Sequence, residues 1–158
     1  MQKEYELLDF SPEFSETFKK LNLDWIEEYF EPEDIDLKML SDPQKIFIDP
    51  GGAIILAKVG ESVVGCCGLL KRNDTTFEIS KMAVTPTHQG LGLGKAMLHQ
   101  TLRIAERLGA TRLDIISNTI LEPAIGLYKS VGFVEIPLTS DAYGRGNISL
   151  RLDLVDSD

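Results

Sequence analysis

Phe77–Leu98 decides the fold: FEISKMAV at 77–84, followed without a break by TPTHQGLGLGKAML at 85–98. The first part belongs to a strand pattern over Thr75–Val84. The second part sets Gly90, Gly92 and Gly94 at alternate positions in the mouth of a helical pattern over 90–108. Glycine there loses conformational entropy on folding, so something requires a bare backbone. A phosphate-binding P-loop would need Gly at position 89 and Ser or Thr at 96, where the chain has Gln89 and Ala96. A dinucleotide fingerprint would need Gly at 97 or 95, where it has Met97 and Lys95. What fits is Gln89-x-x-Gly92-x-Gly94 between a strand and a helix. A helix N-terminus leaves about four backbone N–H groups unpaired and carries roughly half a positive charge. Bare glycines let a phosphate approach those donors, and Lys95 adds a cation. The other reading is a tight strand-to-helix turn that needs glycine only for packing.

Working outward, Tyr5–Phe10 reads as a first strand, and Ser11-Pro12 as a helix start. A helical pattern reaches Phe30, with a break expected near Asn22. A second helix spans about Glu31–Leu40 and stops at Asp42-Pro43. Ala53–Val59, Ser62–Lys71 and Thr75–Val84 form an antiparallel meander through the turns Gly60-Glu61 and Arg72-Asn73-Asp74. The helix over 90–108 stops at Gly109. Arg112–Ser117 is a strand, Ile120–Val131 a helix ended by Gly132, and Phe133–Pro137 and Asn147–Leu154 the last strands. The expected class is α/β, a layered fold with a central mixed sheet, in a single domain over residues 1–158.

Composition narrows the function classes. Of 158 residues 43% are hydrophobic, enough for a sizeable core. No apolar run of about 18 residues exists, so no membrane span or membrane partner is expected. The N-terminus lacks the pattern of a secretory signal, which points to a cytoplasmic location. The formal net charge of −9 argues against nucleic acid as a partner. Cys66 and Cys67 are neighbours on a strand and point to opposite faces, so they read as strand filler. His88 and His99 read as surface residues, and no metal-ligand spacing is present. Asp24, Glu27, Glu28, Glu31, Glu33, Asp34 and Asp36 follow one another with no intervening Lys or Arg. They form either a solvated helical face or a negative field that draws a cationic, amine-bearing substrate.

The segment 77–98 resembles the central motif of the GNAT superfamily of N-acetyltransferases, and Ile125–Phe133, IGLYKSVGF, resembles that family's next motif, a Leu-Tyr…Gly-Phe helix end. The resemblance implies a GNAT-like acyl-CoA N-acyltransferase fold, its mixed and mostly antiparallel sheet flanked by helices. It implies acetyl-CoA as donor, with no metal. The pyrophosphate would lie on the backbone of Gln89, Gly90, Leu91, Gly92, Leu93, Gly94 and Lys95. The pantetheine arm would pair like an added strand with Met82, Ala83 and Val84. Many family members carry Asn seven residues before the tyrosine; here that position is Leu121, and Asn118 lies three residues earlier. Dimers are common in the family, so a homodimer is an expectation.

Acetyl transfer needs a neutral amine, donors for the developing oxyanion and a proton for the departing thiolate. Glu78 is the candidate base, acting directly or through water, and occupies a position where some family members have a carboxylate. Period two sets Glu78, Ser80, Met82 and Val84 on one face; the alternative is an exposed Glu at a strand start. Tyr128 matches the family tyrosine near the coenzyme sulfur and is the candidate acid. The acceptor pocket is expected from Trp25, Tyr29 and Phe30, with Tyr143 and Arg145 from the loop before the last strand; Arg suits a substrate carboxylate. The expected reaction moves an acetyl group from acetyl-CoA to a primary amine of a small molecule, amino acid or peptide. Its rivals are a non-catalytic coenzyme A-binding sensor or regulatory module, and an acetyltransferase acting on a protein N-terminus or lysine.

Overall fold

The computed structural model describes residues 4–138 and 146–154. Seven strands make one sheet: β1 Glu6–Asp9, β2 Ala53–Val59, β3 Ser62–Lys71, β4 Thr76–Val84, β5 Arg112–Ser117, β6 Val134–Ile136 and β7 Ile148–Asp153. Four α-helices accompany them: α1 Ser15–Tyr29, α2 Asp34–Ser41, α3 Leu93–Arg107 and α4 Glu122–Val131. The strand order is β1-β2-β3-β4-β5-β7-β6. Pairing is antiparallel throughout except between β4 and β5. This is the element order and the mixed, mostly antiparallel sheet that the sequence predicts.

Each sheet face has its own core. Ile55, Cys67, Leu69, Phe77, Ile79, Leu113 and Ile115 pack with Met97, Leu98 and Ala105 of α3 and with Tyr128 of α4. Ile54, Leu56, Cys66, Leu70 and Ala83 pack with Phe18 and Ile26 of α1, Leu40 of α2 and Phe47. The two cysteines therefore lie on opposite faces, as alternation along a strand requires, and both are free thiols.

Four local expectations change. Asn22 does not break α1: its Nδ2 donates to the Phe18 carbonyl one turn back and to Cys66 Sγ, so a polar residue inside the helix is buried and satisfied. Pro43 ends α2, but a turn of π-helix at Gln44–Ile48 follows and drives Phe47 into the core against Phe18. α3 begins at Leu93 rather than 90, because Gly90 and Gly92 are left-handed. The acidic run is not uniformly a solvated face: Asp36 is fully buried, one turn before Met39 and Leu40 on the inner side of α2.

A fifth change bears on the site. The β3–β4 register slips between the pairs Cys66–Ala83 and Gly68–Ser80, so Lys81 and Met82 lie opposite Cys67 alone. This β-bulge reverses the alternation. Phe77 and Ile79 face α3 before it; Met82 and Val84 face α3 after it, and Ala83 turns toward α1. Glu78 and Ser80 consequently do not share a face with Met82 and Val84, contrary to the unbroken period-two expectation.

Candidate functional site

Two parallel strands that part company open the site. The β4–β5 ladder covers only Thr76–Arg112, Phe77–Leu113 and Glu78–Asp114. Beyond Glu78 both strands continue along the walls of a cavity of about 470 Å³, lined by Ile79–Val84 on one side and Ile115–Asn118 on the other. β5 keeps its other edge on β7 as far as Ser117–Ile148. The inner edge of β4 at Met82–Val84 is therefore placed for strand addition, in which main-chain groups bind and side chains need not be polar.

The glycine loop forms one end of this cavity. His88–Gly90 and Gly92–Lys95 line it, whereas Leu91 is 41% exposed and lies outside the lining. His88 is thus half-buried at the cavity rim rather than a plain surface residue, its Nδ1 within 2.9 Å of Thr87 Oγ1. Gly90 has φ +77° and Gly92 φ +86°, and a Cβ on either would meet no heavy atom within 4 Å. Side-chain packing does not account for these two glycines. The left-handed backbone does, and the bare space over the N-terminus of α3 suits an anion. Gln89 Nε2 donates to the Val84 carbonyl at 2.9 Å and ties the loop to the end of β4. The donors, the open space and the free strand edge fit a phosphate-bearing coenzyme with an extended arm.

Tyr128 is placed by the way α4 ends. Gly132, φ +118°, follows the last helical residue; its N–H donates to the Lys129 carbonyl, and the N–H of Phe133 reaches back to the carbonyl of Tyr128. This is a Schellman end, with its usual apolar contact made by the rings of Tyr128 and Phe133, 6.2 Å apart. Tyr128 is 7% exposed and lines the cavity. Burial, with Cys67 nearby as a second cause, pushes the phenol well above its ordinary value, so it stays protonated at neutral pH.

Glu78 is not an exposed strand residue. It is 6% exposed, lines the cavity and is held by Arg72 from the β3–β4 turn, whose Nε and Nη2 both reach Oε1. A buried carboxylate requires such a partner. Arg151 pairs with Asp114, the register neighbour of Glu78, at 2.9 Å, so each of the two facing carboxylates has its own arginine.

The third wall is aromatic. Trp25, Tyr29 and Phe30 all line the cavity, with ring centroids 5.3–6.5 Å apart. Tyr143 and Arg145 lie outside the described residues. Asn118 and Leu121 both line the cavity, and the Asn118 side chain accepts the N–H of Ile120 in the turn before α4. Sequence reasoning missed the part played by Lys81, whose ammonium lies 2.5 Å from Asp36 Oδ1. One signal was available: Asp36, Met39 and Leu40 share a helical face, and a carboxylate among core positions needs a cation. Among the described residues no group of three or more His, Cys, Asp or Glu is arranged to hold a metal ion, and no helix is long and apolar enough to cross a membrane.

Comparison with known proteins bears on family and fold. The profile described as "Acetyltransferase (GNAT) family" matches residues 14–133. The uncharacterized N-acetyltransferase YvbK of Bacillus subtilis is 32% identical over 101 residues, which are 62% of this chain and 65% of YvbK. The chain thus matches just under two thirds of that relative's length. A GNAT-family acetyltransferase from Staphylococcus aureus superposes with a TM-score of 0.86 at 17% identity, covering 96% of this chain and all of the other. The structure of yncA, a putative acetyltransferase from Salmonella typhimurium with its cofactor acetyl-CoA, gives 0.71 at 19% identity over 99% and 97% of the two chains.

Proposed function

The chain belongs to the acetyltransferase (GNAT) family, and from that premise we propose that it transfers an acetyl group from acetyl-CoA to a primary amine of a small molecule, amino acid or peptide. The observation that carries the reading is one cavity shared by the glycine loop, the free edge of β4, Tyr128, Glu78 and an aromatic wall. The backbone N–H groups at Gly92–Lys95 hold the pyrophosphate, and Met82–Val84 pair with the pantetheine arm. A main-chain N–H of the same strand faces the oxyanion as it develops. Tyr128 supplies a proton to the departing thiolate; its neutral form is the one that burial favours. Glu78, aimed by Arg72, removes the ammonium proton of the acceptor, directly or through a water.

The acceptor side bears on substrate class. The charged side chains there are engaged, Glu78 with Arg72 and Lys81 with Asp36, while Trp25, Tyr29 and Phe30 line the wall. Such a wall suits an amine on an apolar body, with ring faces attractive to its cationic form on approach. Calorimetric titration with acetyl-CoA, followed by thiol release with a panel of amines, tests the reading. Binding followed by turnover on one amine class supports it. Binding without turnover on any amine, peptide or protein acceptor favours the non-catalytic coenzyme A-binding module, and absence of binding refutes the reading of the glycines.

A further inference from the structure

Among the described residues Lys81 is the one non-glycine with a left-handed backbone, at φ +60°. It sits in the β4 bulge, where it and Met82 oppose Cys67 alone. Both ends of the residue are held. Its ammonium reaches Asp36 Oδ1 at 2.5 Å, with side chains 4% and 0% exposed. The other Asp36 oxygen accepts the N–H of Glu33 at 2.8 Å, which fixes the carboxylate in the first turn of α2. The Lys81 carbonyl accepts from Cys66 Sγ at 3.4 Å, and that sulfur accepts from Asn22 of α1. A lysine disfavours the left-handed region, and a buried ammonium disfavours isolation from a counter-charge. Each unfavourable state is therefore maintained by its partners in α1 and α2.

We propose that Lys81 is a positioning residue: its ion pair with Asp36 holds the β4 bulge in register, so that the Met82–Val84 backbone faces the coenzyme arm while remaining tied to α2, which packs beside the α1 wall of the acceptor side. The link to the coenzyme rests on the acetyltransferase reading above; the pinning of the bulge does not. Without the pair, a side-chain-bearing residue at 81 leaves the left-handed region and the register slips toward unbroken pairing with β3. Glycine at 81 adopts φ +60° without a pair. The role lies in the backbone that Lys81 sets.

The test compares Lys81→Met with Lys81→Gly, each combined with Asp36→Asn so that no buried carboxylate is stranded. Amide hydrogen exchange of Met82–Val84 reads the bulge, and calorimetric titration with acetyl-CoA reads its consequence. The methionine variant is expected to exchange these amides faster than wild type and to bind acetyl-CoA about tenfold more weakly, as the population of the competent bulge falls. The glycine variant is expected to recover most of both. Asp36→Asn alone takes the carboxylate from a buried ammonium and should raise exchange of these amides at least as much as the methionine variant does. Equal exchange in the methionine and glycine variants overturns the proposal. Equal loss of binding in both, with the amides protected, also overturns it and assigns the ammonium a direct contact. A wild-type protein that does not bind acetyl-CoA refutes the functional reading, while the exchange comparison still decides the bulge.

Discussion

Replacing Gly94 by alanine separates the two reasons a helix mouth can hold glycine. Gly94 lies inside α3, its backbone is not left-handed, and a Cβ there would make only ordinary contact with Leu127 Cδ2 at 3.6 Å. Nothing in the fold opposes the methyl group, and alanine loses less backbone entropy on folding. Gly94→Ala should therefore stabilise the free protein by about 0.5–1 kcal/mol. For a chain of this size that raises Tm by about 1–4 °C. In the proposed function the same methyl would crowd the helix-mouth N–H groups that would receive the pyrophosphate. Weakening one charge-assisted hydrogen bond is worth about 1.5–3 kcal/mol, or roughly 10–100-fold in Kd for acetyl-CoA. Gly92→Ala should weaken binding as well but with the opposite effect on stability: at φ +86° a non-glycine residue costs about 1–2 kcal/mol, although its Cβ would meet no neighbour. Differential scanning calorimetry and isothermal titration on the two variants give four numbers. A stabilised Gly94→Ala protein that binds acetyl-CoA as wild type does would refute the phosphate role of the glycines. A destabilised one would show that the helix mouth is packed more tightly than its geometry indicates.

Three further outcomes follow from the same geometry. Tyr128→Phe keeps the ring against Phe133 and removes the proton donor, so kcat should fall about 100-fold with the Kd for acetyl-CoA little changed; unchanged turnover would remove Tyr128 as the acid. Stability should decline as pH rises past 9. Burial pushes the Cys67 thiol from its ordinary 9.0 up to about 11, so between those values the unfolded chain sheds a proton that the folded chain keeps, and folding weakens; urea titrations of Cys67→Ala at pH 8 and 10.5 should show a smaller loss than wild type. Trp25 is the sole tryptophan, so its emission reports on the acceptor wall. An acceptor amine should change that emission in the presence of coenzyme A, and Tyr29→Ala, at an exposed position, should raise the KM for the amine with kcat nearly constant.

The parts of the site that were legible in the sequence are those built within one short segment. Gly90, Gly92 and the start of α3 lie within a few residues of one another, and a left-handed turn into a helix is a local backbone requirement. The same holds for Tyr128, whose position follows from the Schellman end formed by Tyr128, Gly132 and Phe133. The parts that were not legible cross the chain. Glu78 lies at a strand position that only the packed fold buries, and Arg72 reaches it from the β3–β4 turn. Asn22 looked like a helix breaker because its partner, Cys66, lies on a strand that only folding brings near.

Hydrophobic period, turn residues and the glycine-rich helix mouth were enough to determine the order of elements, the meander, the layered α/β class and the glycine turn into α3, because each is settled by backbone preferences within a few residues. Tertiary structure alone decided which side chains share the cavity. The bulge at Lys81 reverses the facing of β4, and the carboxylate buried against that ammonium comes from 45 residues away in sequence. Alternation along a strand is a local rule; the place where it is broken depends on charges and packing that arrive from elsewhere in the chain.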